Sequence, residues 1–153
     1  MNRILTFCFL LISINGFTQN FIGNTKSQVT KKLNDYIRKN DTLNAAINVT
    51  DTAIILNVKG SPSLPADFIY KFNKEGKCIS EKTIAYCDSC YNKFLKAALN
   101  NKKYGWKKIN GNQYVSNFAS QMLIELPVNE TDLSFIILKT AWNREMYKML
   151  KGQ

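Results

Sequence analysis

Hydrophobic residues recur every three or four positions in two parts of the chain, which predicts two amphipathic helices. The first covers 25–39, and Thr25 and Gln28 form a capping box at its start. The second carries apolar residues at positions i, i+3, i+4, i+7 and i+8, with Asp88 or Ser89 as its cap. Each helix therefore has one face that must be buried against another element.

Alternation of hydrophobic and polar residues predicts eight strands in two groups of four. The groups are 45–50, 53–59, 67–72 and 78–86 between the helices, and 103–109, 113–118, 121–126 and 133–139 after the second helix. A short final helix follows, with Thr140 as its cap and with Trp142, Met146, Met149 and Leu150 on one face.

The order helix, four strands, helix, four strands, helix predicts an α+β fold. A single helix between the strand groups disfavours parallel βαβ units, so we expect an antiparallel sheet or sheets with the helices packed on one face.

The first 18 residues are typical of a secretory signal peptide. Arg3 precedes an apolar stretch at 4–14, and small residues precede Gln19. The stretch is shorter than the roughly 20 residues that a membrane-spanning helix needs. We therefore expect an exported protein, periplasmic or extracellular, with no transmembrane segment after signal removal. The mature part, 19–153, is predicted to be a single α+β domain divisible into halves 21–86 and 87–153.

Composition excludes several kinds of chemistry. The chain has no histidine, which excludes Ser-His-Asp and Cys-His nucleophile systems and metal sites that use histidine ligands. The carboxylates are scattered along the sequence, and Glu125 stands out because it alternates with apolar residues in a strand. We predict no catalytic, cofactor-binding or metal-ligating residue and no cofactor.

Three cysteines remain after signal removal, Cys78, Cys87 and Cys90, and they are disulfide candidates. Export favours oxidation, so a structural disulfide is preferred to a redox site or a zinc site. An unbroken strand over 78–86 would separate Cys78 from Cys87 by about 30 Å, which leaves Cys87 to pair with Cys90. A bend in that strand would instead allow Cys78 to pair.

A basic and aromatic cluster forms the candidate binding patch. Its members are Lys102, Lys103, Tyr104, Trp106, Lys107 and Lys108. Lysines beside rings suit acidic glycans or lipid headgroups, while nucleic acid is disfavoured for an exported protein. The alternative is that Trp106 points into the core and the lysines line an exposed strand.

Residues 21–29 and 68–78 resemble small exported proteins of Bacteroidota that have no assigned activity. The helix-then-four-strands order, met twice, is similar to that of beta-lactamase inhibitor proteins. The second similarity implies a fold and no activity.

These observations favour an exported, non-enzymatic binding or accessory protein of the bacterial envelope, whose partner is an envelope or extracellular macromolecule. It would bind through its sheet face or a loop. Two alternatives stay open: a small secreted enzyme that uses carboxylates or the CxxC thiols, and a polyanion-binding protein. The net charge of +10, nearly all of it from lysine, is the basis of the last alternative.

Overall fold

The computed structural model describes residues 20–40, 42–60, 64–128 and 132–152. The helices are α1 (Lys26–Lys39), α2 (Asp88–Leu99) and α3 (Arg144–Lys151). The strands are β1 (Ala45–Val49), β2 (Ala53–Val58), β3 (Ala66–Phe72), β4 (Cys78–Ala85), β5 (Lys107–Lys108), β6 (Gln113–Val115), β7 (Met122–Glu125) and β8 (Leu133–Lys139). The predicted α+β class and element order are confirmed.

The eight strands of the described residues form one antiparallel sheet in the order β1-β2-β3-β4-β8-β7-β6-β5. Strands β1 to β4 form one meander and strands β5 to β8 form another, and the two meanders meet where β4 pairs with β8. The last strand of each half therefore lies at the centre of the sheet. The division of the domain into two halves stays a prediction, although each meander belongs to one of them.

Helices α1 and α2 cover one face of this sheet and bury the core. Val29 and Leu33 are buried on α1, and Cys90 and Phe94 are buried on α2. The sheet side chains of this face pack in rows across the strands, and they include Ile54, Leu56, Phe68, Tyr70, Ile124, Phe135 and Ile137. We call it the core face.

The capping box predicted at the start of α1 is present. The Thr25 hydroxyl accepts a hydrogen bond from the backbone N–H of Gln28, and the side chain of Gln28 accepts one from the N–H of Thr25. The cap of α2 differs from the prediction. Cys87 occupies that position, and its Sγ accepts a hydrogen bond from the N–H of Cys90 at 3.1 Å.

The strand predicted over 103–109 is wrong for most of its length, because only Lys107–Lys108 pair with β6. Residues before them form a turn in which the N–H of Tyr104 donates to the carbonyl of Asn101. Gly105 then adopts a φ of +53°, a left-handed conformation that favours glycine and interrupts an extended strand.

The predicted cap of the last helix is also wrong, and the apolar face predicted for this helix does not contain its buried residue. Asn143, not Thr140, caps α3, and its side chain accepts a hydrogen bond from the N–H of Met146. Tyr147 is the buried residue of this helix, whereas Met149 is 66% exposed. A single tyrosine that donates a buried hydrogen bond anchors α3, so its apolar stripe does not determine its packing.

The predicted signal peptide, residues 1–18, lies outside the described residues. Within the part of the chain that the structure describes, no helix is both long enough and apolar enough to cross a bilayer.

Candidate functional site

A buried carboxyl group, that of Glu81, lies on the core face at the centre of the sheet. Glu81 is paired with Tyr70 on β3 and with Ile137 on β8, and it is 8% exposed. Carboxyl groups are rarely buried to this extent without partners, because burial strongly disfavours their charged form. Glu81 is therefore the residue whose position most requires an explanation.

A β-bulge places Glu81 on this face. Lys71 pairs with Ser80 and Phe72 pairs with Cys78, so Ile79 has no opposite residue and projects outward. The alternation of β4 changes at that point, and Ser80 and Glu81 are both buried. Strict alternation from Cys78 would place Glu81 on the opposite face, so the local sequence pattern does not reveal its burial.

Backbone N–H groups just before α1 lie at the Glu81 carboxyl. The N–H of Phe21 donates a hydrogen bond to it, and the N–H of Ile22, which donates to Asn20 Oδ1 at 2.8 Å, also favours the ionised form. Burial outweighs both N–H groups and raises the pKa of Glu81 from 4.5 to about 8. The group is therefore mostly neutral at pH 7 and ionises just above that pH.

Glu81 opens onto a cavity of about 40 Å³ between the core face and the C-terminal end of α2. By the same measure one water molecule needs roughly 10–15 Å³, so the cavity has room for about three atoms or small groups of that size. Six aromatic residues line it: Phe68, Tyr70, Phe94, Tyr104, Trp106 and Phe135. This space is too small for a sizeable substrate and large enough for a small ion or a chemical group.

The aromatic members of the predicted basic patch belong to this cavity. Tyr104 and Trp106 pack with the hydrophobic core, and their ring centroids are 5.7 Å apart. The indole Nε1 of Trp106 is buried and has no hydrogen-bond partner among the described residues. A buried N–H without an acceptor is costly, so this group indicates an acceptor such as water in the cavity.

The lysines of the patch differ from those rings in their exposure. Lys102, Lys103, Lys107 and Lys108 are all exposed. The ammonium group of Lys103 lies 5.6 Å from the ring centroid of Tyr104, and the Lys107 side chain donates to the carbonyl of Lys151 in α3. The rings of the patch therefore pack with the core, Tyr104 buried and Trp106 partly buried, while the lysines are exposed and Lys103 lies beside the Tyr104 ring.

A disulfide joins Cys87 and Cys90, and Cys78 is a free, buried cysteine. The sequence leaves two possibilities, a Cys87–Cys90 pair if the strand is unbroken and a pair that includes Cys78 if it bends. The structure has the first of them. Burial, with a smaller contribution from the nearby Glu81, raises the pKa of the Cys78 thiol to about 12. A thiol of that pKa is almost entirely protonated near neutral pH and is therefore a poor nucleophile.

The second face of the sheet is aliphatic and open across its central strands. Two rows of partly exposed side chains contribute to it: Ile55, Ile69, Lys82 and Ile136 in one row, and Leu138 and Leu123 in the other. With Ile84 in a third row, these residues form what we call the open face. The aliphatic ones do not belong to the core that α1 and α2 cover.

Polar groups border the open face at both ends. At one end Asp67 accepts hydrogen bonds from Asn57 and from the hydroxyl of Tyr86, each at 2.7 Å, and Tyr86 is 61% exposed. At the other end Gln113 donates to Glu125 at 2.9 Å. Glu125, which stood out in the sequence, is thus a rim residue of the open face.

In the described part of the chain, no cluster of three or more cysteine or carboxylate side chains is arranged to hold a metal ion. Comparison with protein-family models, with curated proteins and with solved structures finds no match to this chain. The resemblance to small exported Bacteroidota proteins and the similarity to beta-lactamase inhibitor proteins therefore stay predictions.

Proposed function

We propose that this chain is an exported, non-enzymatic accessory protein of the bacterial envelope that binds another protein on its open face. The observation that carries the proposal is a continuous set of partly exposed aliphatic side chains on the sheet face opposite α1 and α2, including Ile69 and Ile136 on either side of Lys82. Large exposed apolar patches with a polar border are typical of protein interaction sites.

The composition of the face supports a protein partner over a glycan or a lipid surface. Its centre is aliphatic with one lysine, and its rim carries carboxylate, amide and phenol groups rather than a cluster of cations. An acidic polysaccharide or an anionic headgroup would require such a cluster. The exposed Tyr86 beside Asp67 is a residue type that is enriched where interfaces concentrate their binding energy.

Export rests on the predicted signal peptide and is supported by the disulfide between Cys87 and Cys90. Disulfides persist in oxidising compartments and are rare in the bacterial cytosol. A non-enzymatic role is supported by the small size of the Glu81 cavity and by the lack of histidine in the sequence, which excludes the common nucleophile systems that use it as a base.

The test is capture of a partner from the envelope of the producing cell with matched variants. We expect the wild-type chain to retain a reproducible protein, and Ile69→Thr with Ile136→Thr to lose at least about 90% of it, because losing central apolar contacts costs roughly 1.5–3 kcal/mol each. The control is Val128→Thr, which changes an apolar residue that is 75% exposed and lies outside the strands.

Circular dichroism and thermal melting of all variants establish that they are folded. Equal capture by the wild type and the open-face variant would contradict the proposal. So would the absence of a protein partner together with saturable turnover of a small-molecule substrate, which would favour the enzyme alternative.

A further inference from the structure

We propose that the cavity at Glu81 binds a small primary alkylammonium ion, with the Glu81 carboxylate as its counter-ion. This site is separate from the open face, because Glu81 projects from the core face of the sheet. The ligand class follows from three properties of the cavity: its aromatic lining, its size and the protonation of its one carboxyl group.

The lining is typical of sites that bind organic cations. Six aromatic residues surround a single carboxyl group, and Tyr70, Tyr104 and Trp106 are among them. Aromatic rings attract cations electrostatically, and the attraction increases when the cation leaves water. A buried carboxylate adds a full opposite charge, so an ammonium group in this cavity gains both interactions.

The size of the cavity limits the ligand to an ammonium group and a short alkyl stem. A volume of about 40 Å³ corresponds to about three water-sized groups. Methylammonium, with two non-hydrogen atoms, fits within that limit and leaves space for a water molecule. Such a water would supply the acceptor that the buried N–H of Trp106 lacks.

Glu81 is the group in the site that changes its charge near neutral pH. The titratable groups near it are Tyr70 on β3, Cys78 on β4 and Tyr104 after α2, and burial raises the pKa of each of them. They therefore stay neutral up to pH 9. The charged groups nearby are Lys82, which borders the cavity although its side chain belongs to the open face, and Lys103, whose ammonium group lies 5.6 Å from the ring centroid of Tyr104. The N–H of Phe21 donates to the carboxyl. A bound cation stabilises the ionised carboxylate, so binding below pH 8 releases one proton.

This coupling between cation binding and proton release predicts how the affinity for methylammonium depends on pH. Methylammonium remains protonated over pH 6–9, since alkylamines such as the lysine side chain have a pKa of about 10.4. Binding requires the Glu81 carboxylate, so the affinity should fall about tenfold for each pH unit below 8 and level off above it.

The experiment is an NMR titration of the ¹⁵N-labelled chain with methylammonium chloride at about 0.15 M total salt, where the net positive charge is largely screened. We expect saturable shifts of the Phe21 and Ile22 amides and of the Trp106 indole, while the Trp142 indole serves as an internal reference. Sodium chloride controls for ionic strength, and methanol controls for a neutral molecule of similar size.

Glu81→Gln is the decisive variant, because it keeps an acceptor for the backbone N–H groups and removes the charge. We expect it to bind methylammonium at least about tenfold more weakly and without pH dependence, a loss of about 1.4 kcal/mol or more. Glu125→Gln, a carboxylate on the opposite face, is the matched control and should bind like the wild type.

Three results would overturn the proposal: no saturable shift with the wild type, equal binding by Glu81→Gln, or equal binding of methanol. The pH dependence of the wild-type titration tests the proposal independently of whether the variant folds. None of these results bears on the open face, so the proposed function can fail or hold separately.

Discussion

Glu81 has a protonation equilibrium that couples directly to folding. Its carboxyl is buried at the centre of the sheet, and the pKa is raised from 4.5 to about 8. Between these two values the folded state holds a proton that the unfolded chain has released. The free energy of unfolding must therefore decrease as the pH rises through this interval.

The prediction at this residue is a stability that falls from pH 5 to pH 8 and that Glu81→Gln changes. For one such group the slope approaches about 1.4 kcal/mol per pH unit in the middle of the interval. Gln cannot ionise, so the variant should lose this slope and exceed the wild type in stability at pH 8. Urea unfolding at pH 5, 6.5 and 8 measures the effect.

Glu125→Gln serves again as the control, since Glu125 is only partly buried and already accepts a hydrogen bond from Gln113. It should keep the wild-type slope. Parallel pH profiles for the wild type and Glu81→Gln would mean that Glu81 is not protonated in the folded chain.

The role of Glu81 could not be derived from the sequence, although the strand that carries it could. The strand predicted over 78–86 matches β4 almost to the residue, because alternation continues on both sides of the bulge. The bulge itself depends on how β3 and β4 pair, which is a tertiary property with no local marker at Ile79. One unpaired residue is enough to move Glu81 to the other face.

Among the elements, those with strong local patterns were predictable and the short polar ones were not. The first helix and the strands of the first meander match their predicted spans within about two residues, a usual uncertainty for element ends. The strand predicted over 103–109 reduces to two residues because Gly105 and the preceding turn interrupt it. The last helix depends on a tertiary hydrogen bond from Tyr147 to the carbonyl of Ser116, which a hydrophobic stripe does not reveal.

The capping box of α1 provides a prediction at the element scale. Thr25→Ala removes the acceptor for the N–H of Gln28 and should lower the free energy of unfolding by about 1 kcal/mol. Thr30→Ala is the control, because Thr30 lies inside the same helix, where alanine has the higher helix propensity. Thermal and urea unfolding of both variants measure the difference.

We expect Thr30→Ala to be neutral or slightly stabilising, with Thr25→Ala clearly less stable than the wild type. Equal stabilities for the two variants would show that the cap contributes little beyond the burial of Val29 and Leu33.

At the scale of the whole molecule, the two faces of the sheet differ in how far other elements cover them. One is closed by α1 and α2, and the other leaves aliphatic side chains in contact with solvent. An apolar face of this kind promotes self-association, while a net charge of +10 opposes it through mutual repulsion. The balance between these two effects depends on ionic strength.

We therefore predict that salt drives self-association of the pure protein through the open face. Repulsion between the chains extends over about 10 Å at 0.1 M salt and only about 3 Å at 1 M, so sedimentation velocity should detect monomer at the lower concentration and a larger species at the higher one. Ile136→Thr should reduce association at 1 M salt, because it removes an apolar side chain from the open face, opposite Lys82 in the sheet. Val128→Thr should associate like the wild type, since Val128 lies outside the strands. Monomer at all salt concentrations, or association that Ile136→Thr leaves unchanged, would contradict the prediction that the chain self-associates through the open face.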